Sequence, residues 1–141
     1  MKTTILKILI LFLISGIFSC STPERVACTD VFVLIHLTVI DDEGHAADSV
    51  NILVYRKRDN KIYDLRDMNE PGGFLSQRGI YTVFHDGFLE QVKGKNERIV
   101  VRGEKRNARF STEFQVGGDE CHIYKISGPD TISLNPSEDG K

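Results

Sequence analysis

The sequence predicts an all-β fold, an antiparallel β-sandwich of seven or eight strands. Three observations lead there. Short runs rich in valine, isoleucine, threonine and aromatic residues recur through residues 31–134, and several of them alternate apolar with polar side chains. Clusters of glycine, proline, aspartate and asparagine punctuate those runs at regular intervals. No stretch beyond residue 30 carries the 3.6-residue apolar spacing of an amphipathic helix.

The elements follow in order. Val31 to Ile40, VFVLIHLTVI, is too short and too apolar for a surface helix, so it reads as a strand buried on one face and partly on the other. DDEGHAAD then turns the chain, with Gly44 at the tip. Ser49 to Lys57 alternates, setting Val50, Ile52 and Val54 against Asn51, Leu53, Tyr55 and Lys57. After RDNK a short strand is expected around Ile62 to Leu65, and Asp67 to Gly73 is a break marked by Pro71 and two glycines. Gly79 to Phe84 alternates again and is closed by HDG. Phe88 to Lys95 is open between a strand and a single helical turn. Glu97 to Gly103, Arg109 to Gly118 and Cys121 to Ser127 supply further strands, the second with Phe110, Thr112, Phe114 and Val116 on one face. Gly128 and Pro129 interrupt, Thr131 to Leu134 is a last edge strand, and the tail frays.

The amino terminus has a different character. Lys2 and Lys7 precede an uncharged apolar run from Ile8 to Phe18, and the small Ser19 stands before Cys20. That is the layout of a secretory signal, and a run of about 11 residues falls short of the roughly 20 that a spanning helix needs. An ordinary secretory signal is one reading. The segment IFSC also resembles the end of a bacterial lipoprotein signal peptide, with Phe18 bulkier than the usual occupant. That resemblance implies cleavage after Ser19, a lipid on Cys20 and a membrane anchor of several acyl chains. Ser21, in place of an inner-membrane retention aspartate, leans by the same resemblance towards the outer membrane.

With Cys20 so used, Cys28 and Cys121 remain, 93 positions apart. In an oxidising export compartment such a pair is expected to form a disulfide. His122 beside Cys121 raises zinc as the alternative, but no ligand pair at the usual two-to-four spacing accompanies it. The chain thus divides into a signal peptide (1–19), a lipidated tether (20–29), one β-sandwich domain (30–135) and a flexible tail (136–141).

Cleavage removes two of the 18 basic side chains and no acid, leaving 16 against 20 acidic ones. A mildly acidic chain lacks the electrostatic footprint of a nucleic-acid binder, and VRGEKRNAR (Val101 to Arg109) reads as a solvated turn between strands. The absence of tryptophan gives no positive case for a sugar-stacking platform.

The segments TVIDDEGHAADSVNILVY, GIYTVF and DECHIYKISGP together resemble the transthyretin-like or carboxypeptidase-regulatory-like β-sandwich domains of exported bacterial lipoproteins. Asp41, Gly44, Val50, Ile52 and Val54 occupy that pattern's turn and strand positions, and Gly79 and Tyr81 its Gly-x-Tyr step. The resemblance covers most of residues 28–134. It implies a transthyretin-like or immunoglobulin-like sandwich. One transthyretin-related family hydrolyses 5-hydroxyisourate with histidines, an arginine and a terminal Tyr-Arg-Gly-Ser, which this chain lacks.

No catalytic residue is assigned. The G-x-S-x-G elbow is absent, and His36, His45, His85 and His122 read as sheet or turn residues. DDEG and HDG set carboxylates beside glycine, which suits calcium or plain turn chemistry, but EF-hand spacing is missing, and no metal or cofactor is assigned. The expectation is a non-catalytic binding or accessory module, exported and lipid-anchored to the bacterial envelope. It would meet a protein or glycan through loops or a sheet edge. The Gly/Pro-marked connection carrying Met68, Glu70 and Gly72 is the candidate ligand-binding loop. A structural subunit of a surface assembly is the alternative.

Overall fold

A computed structural model of the chain describes residues 26–70 and 79–136. Nine strands among these residues form two sheets. They are β1 (Leu34–Ile40), β2 (Asn51–Arg56), β3 (Ile62–Tyr63), β4 (Ile80–His85), β5 (Asn96–Lys105), β6 (Ala108–Gly118), β7 (Ile123–Ser127), β8 (Thr131–Ser133) and β9 (Asn135–Pro136). One sheet runs β4-β1-β8; the other runs β3-β2-β5-β6-β7, with β9 added to β6. The fold is therefore the all-β sandwich expected. Residues 1–19, expected to be a signal peptide, lie outside the described residues, as do Cys20, Gly72 and residues 137–141 of the expected tail.

Alternation sets which side chains the sheets share. Ile35, Leu37 and Val39 of β1, Val54 of β2, Ile99 and Val101 of β5, and Phe114 and Val116 of β6 are all buried in one core. Burying each such aliphatic or aromatic side chain contributes about 1.5–3 kcal/mol. The β5–β6 hairpin stays in register from Asn96↔Gly117 to Lys105↔Ala108, which leaves Arg106 and Asn107 as its turn. Gly103 faces Phe110 across it. A Cβ at Gly103 would come within 2.1 Å of the Phe110 ring, so the aromatic lies against bare backbone.

Two departures from the sequence reading have physical causes. Thr131–Ser133 pairs parallel to β1, because the chain crosses from one sheet to the other after β7, through Gly128 at φ +133°. The segments left open or read as a break hold single helical turns, α1 (Arg66–Asn69) and α2 (Leu89–Val92), the latter preceded by a 3-10 turn at Asp86–Phe88. Leu89 and Val92 dock on β6 where Gly118 leaves space, since a Cβ there would meet the Leu89 side chain at 2.7 Å.

From α1, the Asn69 carboxamide accepts from Thr82 N–H (2.8 Å) and donates to Thr82 C=O (3.0 Å). It thereby occupies main-chain groups of β4 that an edge strand would otherwise leave for another chain. The seven residues of β1 span roughly 23 Å. Its start meets His85 and the residues around Cys121; its end leads into the Asp41–Val50 turn and the β5–β6 hairpin tip. The molecule has a strap end and a distal end.

Candidate functional site

At the strap end, residues 26–33 lie along the body and are held at three places. Cys28 and Cys121 form a disulfide with Cα atoms 5.3 Å apart, as expected from the cysteine count. The Asp86 carboxylate accepts from Val33 N–H (2.8 Å) and Ile123 N–H (2.9 Å), and its Oδ2 lies 2.8 Å from His122 Nδ1. His122 Nε2 in turn lies 2.9 Å from Thr29 Oγ1. A carboxylate can only accept, so Nδ1 is the donor in that contact, and Nε2 is left to meet the Thr29 hydroxyl.

Burial pushes the Asp86 carboxyl up, but the Ile123 and Val33 N–H groups and then His122 outweigh it and hold the acid below its ordinary 3.8. Asp119 accepts from Cys121 N–H (2.7 Å) and His122 N–H (2.8 Å), fixing the loop that carries both partners of the strap. The hydroxyl–imidazole–carboxylate order is one that catalysis uses. Here its atoms join residues 29, 33, 86, 122 and 123, and its structural work is that of a clasp.

The distal end has a cavity of about 280 Å³. Its apolar lining is Ala47, Ala108 and Leu134, and polar residues complete it: Asp41 and Asp42 from the turn after β1, and Lys105, Arg106 and Asn107 from the hairpin. Local chemistry makes the turn rigid. Asp41 Oδ1 accepts from Glu43 N–H (3.1 Å) and His45 N–H (2.7 Å), and Gly44 supplies the left-handed residue at φ +83°. The buried Tyr81 hydroxyl donates to Ala47 C=O (2.8 Å) and accepts from Val50 N–H (2.9 Å). Lys105 Nζ reaches Asp48 Oδ1 at 3.0 Å, tying hairpin to turn.

The residues singled out from sequence are distributed differently. Met68 packs against the core from α1, Glu70 is exposed at the end of that helix, and neither lines the distal cavity. His36 is exposed on β1; His45 sits in the distal turn 3.4 Å from Glu43. His85 accepts from Gly87 N–H (3.0 Å) and packs between Phe32 and Phe88, where burial lowers its pKa below 6.5 against the opposing pull of Asp86. Among the described residues no group of three or more histidine, cysteine, aspartate or glutamate side chains is placed to hold a metal.

Sequence reasoning missed the distal cavity and Asp86. Asp86 shows in the sequence only as the middle of HDG, and its partners lie 53 positions before and 37 after it. Comparison of the chain with protein-family models, curated proteins and solved structures finds no match.

Proposed function

We propose that this chain is an exported, lipid-anchored module of the bacterial envelope whose distal loops meet a protein or glycan partner, without catalysis. The observation that supports the reading is the opposition of the two ends. The strap that would lead to a lipid on Cys20 is clasped to one end of β1. The cavity, framed by hydrogen-bonded turns, opens at the other, roughly 23 Å away. A tether at one pole directs the loops of the opposite pole away from a membrane, and loops on a rigid scaffold are where recognition concentrates.

The exposed apolar side chains of the larger sheet favour this reading over a subunit packed through that sheet, while Val26, Val31 and Phe32 are exposed on the strap. Leu53 and Ile62 sit at one margin of the larger sheet, and Tyr124 and Ile126 at the other. Exposed Arg98, Arg102 and Glu113 lie on the strands between them, so among the described residues the outer face of this sheet carries no continuous apolar patch.

The test compares photocrosslinking residues placed at Glu43, on the distal turn, and at Glu90, on α2, in intact cells. A discrete adduct from position 43 and none from position 90 is expected. Adducts from position 90 alone would reverse the assignment. Mass spectrometry of the purified chain checks the anchor: it should begin at a triacylated or diacylated Cys20, and Cys20→Ser should release the protein from the membrane fraction.

A further inference from the structure

We infer that the distal cavity is a site for a small zwitterionic peptide, its ammonium held by Asp42 and its carboxylate by Arg106. The inference rests on reading the distal loops as the binding end. Four charged side chains line the cavity, and two are already engaged: Asp41 Oδ1 on the backbone of its own turn, and Lys105 on Asp48. Asp42 and Arg106 differ. Both are exposed, and among the described residues neither side chain makes an ion pair or hydrogen bond. They come from separate loops, one after β1 and one at the β5–β6 tip, so one unpaired charge of each sign borders the same apolar floor.

A ligand complementary to that arrangement carries both charges at the ends of a short, mostly apolar body. A guanidinium takes a carboxylate through two parallel N–H···O bonds, and a carboxylate takes an ammonium. Ala47, Ala108 and Leu134 offer methyl-scale contacts to an intervening body, and Asn107 lines the cavity beside Arg106. At about 280 Å³ the cavity lies at the small end of ligand sites, the scale of a few small residues rather than a folded epitope. The loops that hold the two charges are fixed without a ligand, by the Asp41 turn, the Tyr81 hydroxyl and the Lys105–Asp48 pair, so little ordering cost attends binding.

The experiment titrates the full-length protein in detergent micelles with L-alanine peptides of two, three and four residues, by calorimetry and by amide shifts of Ala47 and Ala108. Each added residue lengthens the charge separation by about 3.3–3.6 Å, so one length should bind best. Acetylating its amino end or amidating its carboxyl end should each weaken binding about tenfold or more. In Asp42→Asn the acetylated and free peptides should bind alike. In Arg106→Asn, a residue that tolerates the left-handed φ of +52° at this turn, the amidated and free peptides should bind alike. Urea midpoints matching the parent protein establish that both variants fold.

Failure of all three peptides to bind at 10 mM, or binding indifferent to end-blocking and to both substitutions, overturns the inference. If crosslinking at position 43 still captures a partner, only the zwitterionic ligand is wrong. If that adduct is absent too, the distal end itself is not the binding end.

Discussion

Replacing Asp86 by alanine tests the clasp most directly. The side chain is 10 % exposed and accepts three hydrogen bonds, two from the main chain at Val33 and Ile123 and one from His122. Without it, two partly buried N–H groups lose their acceptor, at about 1–3 kcal/mol each, and His122 loses a charge-assisted partner. We expect about 3–5 kcal/mol of destabilisation, a large share of the roughly 5–15 kcal/mol typical of a domain. Asp86→Asn keeps one acceptor oxygen but sets an amide donor against another donor, and should cost about half as much. The assay is urea denaturation of the full-length protein with its disulfide intact, paired with hydrogen exchange. The Val33 and Ile123 amides should lose protection first. A loss below about 1 kcal/mol, with those two amides still protected, would refute the account of Asp86 as the fastening point.

Four further outcomes are expected. Tyr63 has a buried hydroxyl with no hydrogen-bond partner among the described residues, so Tyr63→Phe should leave stability unchanged or raise it by up to about 1 kcal/mol in the same urea assay. Asn69→Ala removes both bonds to Thr82 and should cost about 1–3 kcal/mol. It should also promote concentration-dependent self-association through β4, visible by sedimentation. Gly103→Ala drives a methyl into the Phe110 ring and should destabilise by about 1–3 kcal/mol, whereas Gly103→Ala with Phe110→Leu should recover part of the loss. Acid should weaken the fold in two windows. His85 is held below 6.5 by burial, so the stability it contributes is full above that pH and falls away as pH drops towards its folded value; His85→Gln should remove this window. Asp86, held below 3.8, contributes fully above that pH and is lost as pH falls through its lower folded value, with Asp86→Asn removing that step.

The sheets were legible because their information is local. Alternation in Ser49 to Lys57 and in Arg109 to Gly118 placed Val54, Phe114 and Val116 on faces that are buried in the structure. The HDG turn and Gly44 were legible as turns for the same reason. The two-residue strand β9 and the four-residue helices α1 and α2 are too short for any period to declare itself. The parallel pairing of β8 on β1 depends on where a crossover lands, which no short window contains. The candidate site was the least legible part. Met68 had the look of a loop residue, yet one helical turn brings it against the core. Asp42 and Arg106 are 64 positions apart in the chain and come to border one cavity only through the β2–β5 pairing that brings their loops together.

The bridge between Cys28 and Cys121 also sets how the molecule answers to being pulled. Tension applied upstream of residue 26 passes through a covalent bond into the loop between β6 and β7, bypassing residues 29–33 and the start of β1. The load therefore reaches the long β5–β6–β7 ladder, while the first strand is spared the peeling that a tug on an unbridged terminus would impose.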